Sequence, residues 1–275
     1  MHSNEVNVWI DEALEPVEFL RASFLDFSFP AHLHETFAIG VIERGAQRFS
    51  TRRGQAEMMH EGTLCAINPG EVHEGAPGTE GGWQYRMFYP TPSLVSCALR
   101  DDLQACEKPA PELNAHVIAD SELFGEFLLL HQLSNQFGDL LERESRTLVF
   151  LRRFFARHSG APEARALHLP RTVGIVKDML HALFTESVSI RDLAYQAGVS
   201  ETQVIRAFSE QTGIAPHAYL VALRVEHAKR LIKAGLPLAT VAAECGFTDQ
   251  SHFHRHFKRL TGITPGVFAK ALCVR

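Results

Sequence analysis

The sequence predicts a two-domain α+β protein, in which a strand-rich barrel with a helical extension precedes an all-α domain. Three observations predict it. Short apolar runs separated by Gly, Pro and Asn fill the stretch from about Phe24 to Tyr89, the spacing of a small barrel or sandwich. From Thr91 onward apolar residues recur instead at helical intervals. Near the C-terminus one pattern is written twice. Its first copy is Leu193-Ala194, Gly198, Val204, Arg206, Phe208 and Thr212-Gly213-Ile214-Ala215-Pro216. The second is Val241-Ala242, Gly246, Phe253, Arg255, Phe257 and Thr261-Gly262-Ile263-Thr264-Pro265.

In the first domain, Phe37-Ala38-Ile39-Gly40-Val41-Ile42 reads as a buried strand ended by Glu43-Arg44-Gly45-Ala46. Gln47-Arg48-Phe49-Ser50-Thr51 alternates toward a hairpin turn at Arg53-Gly54-Gln55. Leu64-Cys65-Ala66-Ile67 is a further apolar strand, and residues 83–89 form one with an aromatic alternate face. Residues 93–103 and 121–135 read as helices, and 140–158 repeats Leu141, Leu148, Leu151 and Phe155 along one face. That amphipathic face is a candidate for homodimerisation. Ser159-Gly160-Ala161-Pro162 breaks the pattern. The expected division is therefore a sensing and dimerisation domain over 1–158, a linker over 159–170 and a helical domain over 171–275.

Each copy of the repeat has the layout of a helix-turn-helix. The offset between copies is 48 at the start (194 to 242) and 49 at the end (213 to 262), so the second holds one extra residue near its turn. In the first copy Ser189 caps a short helix that turns Ile190, Leu193 and Ala194 inward. Gly198 suits the turn, and Ser200 caps the second helix. Val204 and Phe208 then face the core, leaving Thr202, Ile205 and Arg206 on an outward arc. In the second copy Asp249 is the cap, Phe253 and Phe257 face inward, and Gln250, Ser251, His254 and Arg255 project outward. Those side chains suit base edges: Arg bonds two acceptors on guanine, Gln pairs with adenine, and Thr or Ile touches a thymine methyl. Between the units, Pro216 to Ala234 reads as one helix ended by Gly235. At ~1.5 Å per residue it is a rod of ~27 Å, suited to holding two recognition helices about one DNA turn (~34 Å) apart. Arg224, Arg230 and Lys233 on it are candidates for phosphate contact. His252 and His256 stand four apart, a metal-ligand spacing, but no Glu or Cys beside them completes a site, so partial burial and phosphate contact are expected.

Bulk composition narrows the class. Hydrophobic content of 45% with 21% charged residues over 275 positions describes a folded globular chain of two ordinary domains. No basic stretch followed by an apolar core opens the sequence, and the longest greasy run, Phe127-Leu128-Leu129-Leu130, is too short for a bilayer. A cytoplasmic protein without a membrane partner is expected. The five cysteines are scattered without a Cys-x-x-Cys, so neither a disulfide framework nor a zinc ribbon is expected. The net charge of −5 hides an asymmetry. From Arg171 onward 13 Lys and Arg face 8 Asp and Glu, a net of +5, which leaves −10 for the rest. A basic C-terminal part attracts phosphates and an acidic N-terminal part repels them.

The tandem units, with Gly198-Val199-Ser200, Gly246-Phe247-Thr248 and both Thr-Gly-Ile-x-Pro endings, resemble the AraC/XylS family of bacterial transcription regulators over roughly 173–271. The resemblance implies sequence-specific binding to double-stranded promoter DNA, activation through RNA polymerase contacts, and a separate sensing domain. By position in the family motif, Thr202, Ile205, Arg206, Gln250, Ser251, His254 and Arg255 are the expected base readers.

Pro30-Ala31-His32-Leu33-His34-Glu35, followed by Gly62, Pro69-Gly70 and His73, resembles the two motifs of a cupin barrel. The implied fold is a cupin-like β-barrel. Metal-binding cupins add a glutamate to three histidines; here its position lies near Ala38, inside an apolar strand. His32, His34 and His73 are chemically able to hold a metal, but the resemblance to sensing cupins favours rim histidines without one, and no cofactor is expected. A small organic effector is expected in the barrel, against His32, His34, His73, Trp83 and Tyr85, with Phe37, Ile39, Phe49 and Met87 as lining. Arg44, Arg48 and Arg86 are candidate anchors for an effector carboxylate. The leading reading is a ligand-responsive transcription regulator, acting as an activator and not as an enzyme. The alternative is a metal-dependent, dioxygenase-like cupin enzyme fused to a DNA-binding module.

Overall fold

The computed structural model describes residues 4–51, 56–100, 109–135, 139–160 and 169–272. The hairpin turn expected at Arg53-Gly54-Gln55, most of the expected linker (161–168) and Cys106 lie outside the described residues. The described residues fall into two compact units: one from 4–51, 56–100, 109–135 and 147–160, the other from 139–146 and 169–272. The division falls within one helix, Leu140–His158. Among the described residues no helix is long and apolar enough to cross a membrane.

The N-terminal unit begins with β1 (Glu5–Asp11), β2 (Val17–Phe24), β3 (Phe29–His32), β4 (Ala38–Thr51), β5 (Glu57–His60), β6 (Leu64–Ile67), β7 (His73–Pro77) and β8 (Trp83–Tyr89). It continues through α1 (Pro92–Leu99), β9 (Val117–Ile118), α2 (Ser121–Ser134) and α3 (Leu140–His158). The strands pair antiparallel in the order β1-β2-β8-β4-β6-β9, with β3 on β7, and β5 and β7 on β4. The long strand β4 joins both sheets: Ala38–Val41 pair with β6, and residues 46–49 with β5. The break expected at Glu43-Arg44-Gly45-Ala46 is thereby corrected. The strand runs on through a register shift between Ile42 and Arg44. Gly45, at φ 73°, absorbs the bend, and a Cβ there would lie 2.1 Å from the Gly82 carbonyl oxygen. Glycine inside a strand pattern marks a bulge here, not a turn.

Ile42, Phe49, Ile67, Trp83, Tyr85 and Met87 fill the space between the sheets. The apolar face of α3 is used inside the chain, which corrects its expected role in dimerisation. Leu148, Leu151 and Phe155 are buried, and the Phe155 ring meets Phe37 edge-on at 5.0 Å.

The second unit contains α4 (Pro170–Ala182), α5 (Ile190–Ala197), α6 (Glu201–Thr212), α7 (Pro216–Lys233), α8 (Leu238–Glu244), α9 (Gln250–Thr261) and α10 (Pro265–Leu272). The local signals act as expected. Ser189 accepts from the Asp192 amide, Ser200 forms a capping box with Gln203, and Asp249 accepts from the His252 amide at 2.7 Å. Gly198 lies two positions before its cap and Gly246 three before Asp249, so the extra residue of the second copy sits in the turn. Gly246 combines φ 71° with a close approach: an added Cβ would lie 2.5 Å from the Thr185 carbonyl oxygen. Gly246→Ala is expected to destabilise this unit by about 1–3 kcal/mol, read from the urea midpoint in far-UV circular dichroism. Gly198→Ala, with open space around the same φ sign, is expected to shift it less; equal shifts would refute the close-contact argument.

Candidate nucleic-acid interface and effector site

Successive residues of α9 advance by about 100° around the helix axis. Phe253 and Phe257 occupy its core arc, fully buried among Val225, Val241 and Phe247. Gln250, Ser251 and Arg255 are exposed and His254 half-buried on a separate arc. His252 and His256 lie between these arcs and are buried.

The equivalent arc of α6 differs. Thr202 and Ile205 retain only 3% and 4% of their surface, and Arg206 is half-buried. The Thr202 hydroxyl stands 3.2 Å from Ser200 Oγ. The expectation that Thr202 and Ile205 project outward is corrected. Helical periodicity separates them from Val204 and Phe208, but it does not say what else packs on the helix.

The rod is α7, whose 18 residues match the expected length. Arg230 and Lys233 are exposed on it. Arg224 is not, which corrects its expected phosphate role. It is 3% exposed and donates to the Phe184 carbonyl at 2.7 Å, the Glu186 carbonyl at 2.8 Å and Asp139 Oδ2 at 2.5 Å. Asp139 in turn caps α3, accepting from the Leu141 amide through Oδ1.

The buried histidines of α9 meet a carboxylate that sequence spacing did not reveal: Glu142, on the first turn of α3, lies with Oε2 3.8 Å from His256 Nε2. Burial alone raises the Glu142 carboxyl pKa, but the Arg146 guanidinium and the neighbouring histidines outweigh it and hold the group below its usual range. Burial lowers both imidazoles, His256 to about 3.

In the barrel, strand pairing sets His32 opposite His73. The rings of His32, His34 and His73 lie 4.3 to 5.2 Å apart by centroid, and one ligand atom of each lies within 4.8 Å of the others. His32 Nδ1 donates to the Pro30 carbonyl at 2.7 Å and His73 Nδ1 to the Glu71 carbonyl at 2.9 Å. Because a carbonyl only accepts, Nδ1 carries a proton in both rings, and Nε2 is the nitrogen that can serve as an acceptor. Burial, then the charges of His73 and His32, lower His34 to about 4. Three imidazole nitrogens in this arrangement fit a metal as well as a donor-bearing organic molecule. Glu35 is exposed and Ala38 is fully buried, so no carboxylate from the first motif joins them.

Trp83 and Tyr85 are core residues whose rings stack at 6.0 Å, and Trp83 Nε1 is buried without a hydrogen-bond partner. Arg44 and Arg48 are exposed, which corrects their expected place as interior anchors; Arg48 points away because its neighbour Phe49 points in. Arg86 is committed to Glu43 at 2.8 Å and to His131 at 3.2 Å. Burial pushes the Cys65 thiol up to about 12, in keeping with a packing role.

Family models match both units: an AraC-like ligand binding domain over residues 16–151 and a helix-turn-helix domain over residues 193–271. The chain belongs to the AraC family of transcriptional regulators. It binds DNA through the helix-turn-helix domain and carries the AraC-like ligand-binding domain on a strand-rich fold. Family relatives span nearly the whole chain. It is 28% identical over 237 residues to the uncharacterized HTH-type transcriptional regulator YbfI of Bacillus subtilis, covering 86% of this chain and 85% of that one. The arabinose operon regulatory protein of Salmonella typhimurium is 24% identical over 281 residues (95% and 93%). The HTH-type transcriptional activator RhaS of Escherichia coli is 24% identical over 235 residues, 84% of each.

Proposed function

We propose that this AraC-family regulator is an effector-responsive, non-enzymatic activator of the cytoplasm that reads two consecutive major-groove segments through α6 and α9 and contacts RNA polymerase. The observation that carries the reading is the exposed arc of α9, where Gln250, Ser251 and Arg255 stand beside the Asp249 cap. Selection of bound sequences from a random DNA pool should yield two short motifs about one turn apart. Arg255→Ala is expected to cost about 1–3 kcal/mol on the preferred site and to relax one motif, with Arg206→Ala relaxing the other. Uniform weakening over all sequences would make Arg255 a phosphate contact instead. A reporter fused to the selected site tests activation.

The effector is assigned to His32, His34 and His73. Two Nε2 acceptors favour a small molecule bearing hydroxyl or amine donors. The expected carboxylate loses its support with Arg44 and Arg48 on the surface and Arg86 paired. Thr202 and Ile205 are buried on the α6 arc, so base contact by them requires that they become exposed when DNA is bound. Thermal-shift screening of metabolites tests the assignment, with His32→Ala expected to abolish any hit. Silence across a broad library counts against it. With the α3 face buried, a homodimer needs another surface, and sedimentation of the full chain tests for one.

A further inference from the structure

The helical unit encloses a trio that DNA reading does not use: Glu142 on α3 with His252 and His256 on α9. They retain 3%, 4% and 2% of their surface, and one ligand atom from each lies within 4.8 Å of the others. The two rings meet edge-on at 4.5 Å. Both nitrogens of His252 and Nε2 of His256 are buried without a hydrogen-bond partner, and the 3.8 Å between His256 Nε2 and Glu142 Oε2 is too long to supply one. Buried polar atoms left in this way each cost desolvation free energy and point to an absent ion or water.

We infer that Glu142, His252 and His256 form a binding site for a divalent transition-metal ion of the zinc class. Two imidazoles four apart on one helix, joined by a carboxylate from another, are a donor set that zinc accepts. An ion about 2.0–2.2 Å from each donor requires donors roughly 3.3–3.6 Å apart, so side-chain rotation is enough to close the site. Arg146 holds Glu142 Oε1 through bonds of 2.8 and 3.0 Å, which leaves Oε2 for the ion. The remaining coordination positions would be left to water.

One neighbour opposes the ion. Arg259 donates to His256 Nδ1 at 3.0 Å, whereas metal on Nε2 places the ring proton on Nδ1. Arg259 is exposed and free to swing aside. Glutamine at this position offers a carbonyl to that proton and is expected to tighten the site, as such outer partners commonly do. The site adjoins the reading arc, one residue from Ser251 and from Arg255, yet it rests on donor chemistry alone and does not depend on the proposed base contacts.

The test uses the full chain without a polyhistidine tag, carrying His32→Ala and His34→Ala to silence the barrel rings, stripped with chelator and titrated with Co²⁺. One equivalent is expected to raise the visible absorption of low-coordinate cobalt. Glu142→Gln should abolish that band, and Arg259→Gln should bind about 10-fold more tightly. No saturable band, or an undiminished one in a folded Glu142→Gln protein, overturns the site. Should Glu142→Gln fail to fold, Arg259→Gln decides: tightening supports the site, and unchanged or weaker binding refutes it.

Discussion

Arg224→Ala is expected to destabilise the helical unit by about 3–5 kcal/mol, because it strands a buried carboxylate. Arg224 and Asp139 are each nearly inaccessible and meet at 2.5 Å. Removing the guanidinium leaves the buried Asp139 side chain without its ion-pair partner, and it also strips the Phe184 and Glu186 carbonyls of their donor. Lysine keeps the charge but cannot fan three donors toward three separate acceptors, so Arg224→Lys should recover only part of the loss. The readout separates the units. Both tryptophans, Trp9 and Trp83, lie in the N-terminal unit, whereas far-UV circular dichroism weighs the helices of the second. A shifted dichroism transition supports the argument. If Arg224→Ala unfolds at the parent urea midpoint, the buried-pair account fails.

The same arginine shows where sequence reading stops. On a helical wheel Arg224 looks like any cation on an exposed rod; its burial comes from Asp139 and two carbonyls far away in sequence. What was legible was local. Caps at Ser189, Ser200 and Asp249, the glycines after α5 and α8, and the inward Phe253 and Phe257 follow from spacing and from short-range hydrogen bonds. His32, His34 and His73, grouped in sequence by their motif resemblance, do come together, because pairing of β3 with β7 sets His32 opposite His73. Glu142 was invisible for the reason Asp139 was: nothing near His252 or His256 in sequence announces a partner on another helix. Strand β1 escaped because its alternation points the apolar set outward, with Val6, Val8 and Ile10 all about half exposed or more. Thr202 and Ile205 were misplaced by the converse error, since an arc free of one core is not thereby free of every contact.

Acidification is expected to loosen the N-terminal unit through His131, a residue with no motif around it. Burial, followed by the nearby Arg86 charge, lowers this imidazole from 6.5 to about 4. Arg86 donates to Nδ1 at 3.2 Å, so the ring is neutral with its proton on Nε2, which donates to the Leu20 carbonyl at 3.0 Å. Glu43 and Arg21 complete the charged surroundings, and Trp9, Phe19 and Phe127 pack against the ring. Because the folded form binds the proton less readily than the unfolded chain, this contribution is fully present above pH 6.5 and lost as the pH falls toward 4. Linkage over that window gives about 2 kcal/mol by pH 5 and about 3 kcal/mol by pH 4. Urea unfolding followed by tryptophan fluorescence at pH 7.5 and pH 5 measures it. His131→Gln, which does not titrate, should start less stable at pH 7.5, having lost part of the Arg86 and Leu20 contacts, and should then fall less steeply. Parallel pH profiles for the two proteins would show that the acid sensitivity resides elsewhere.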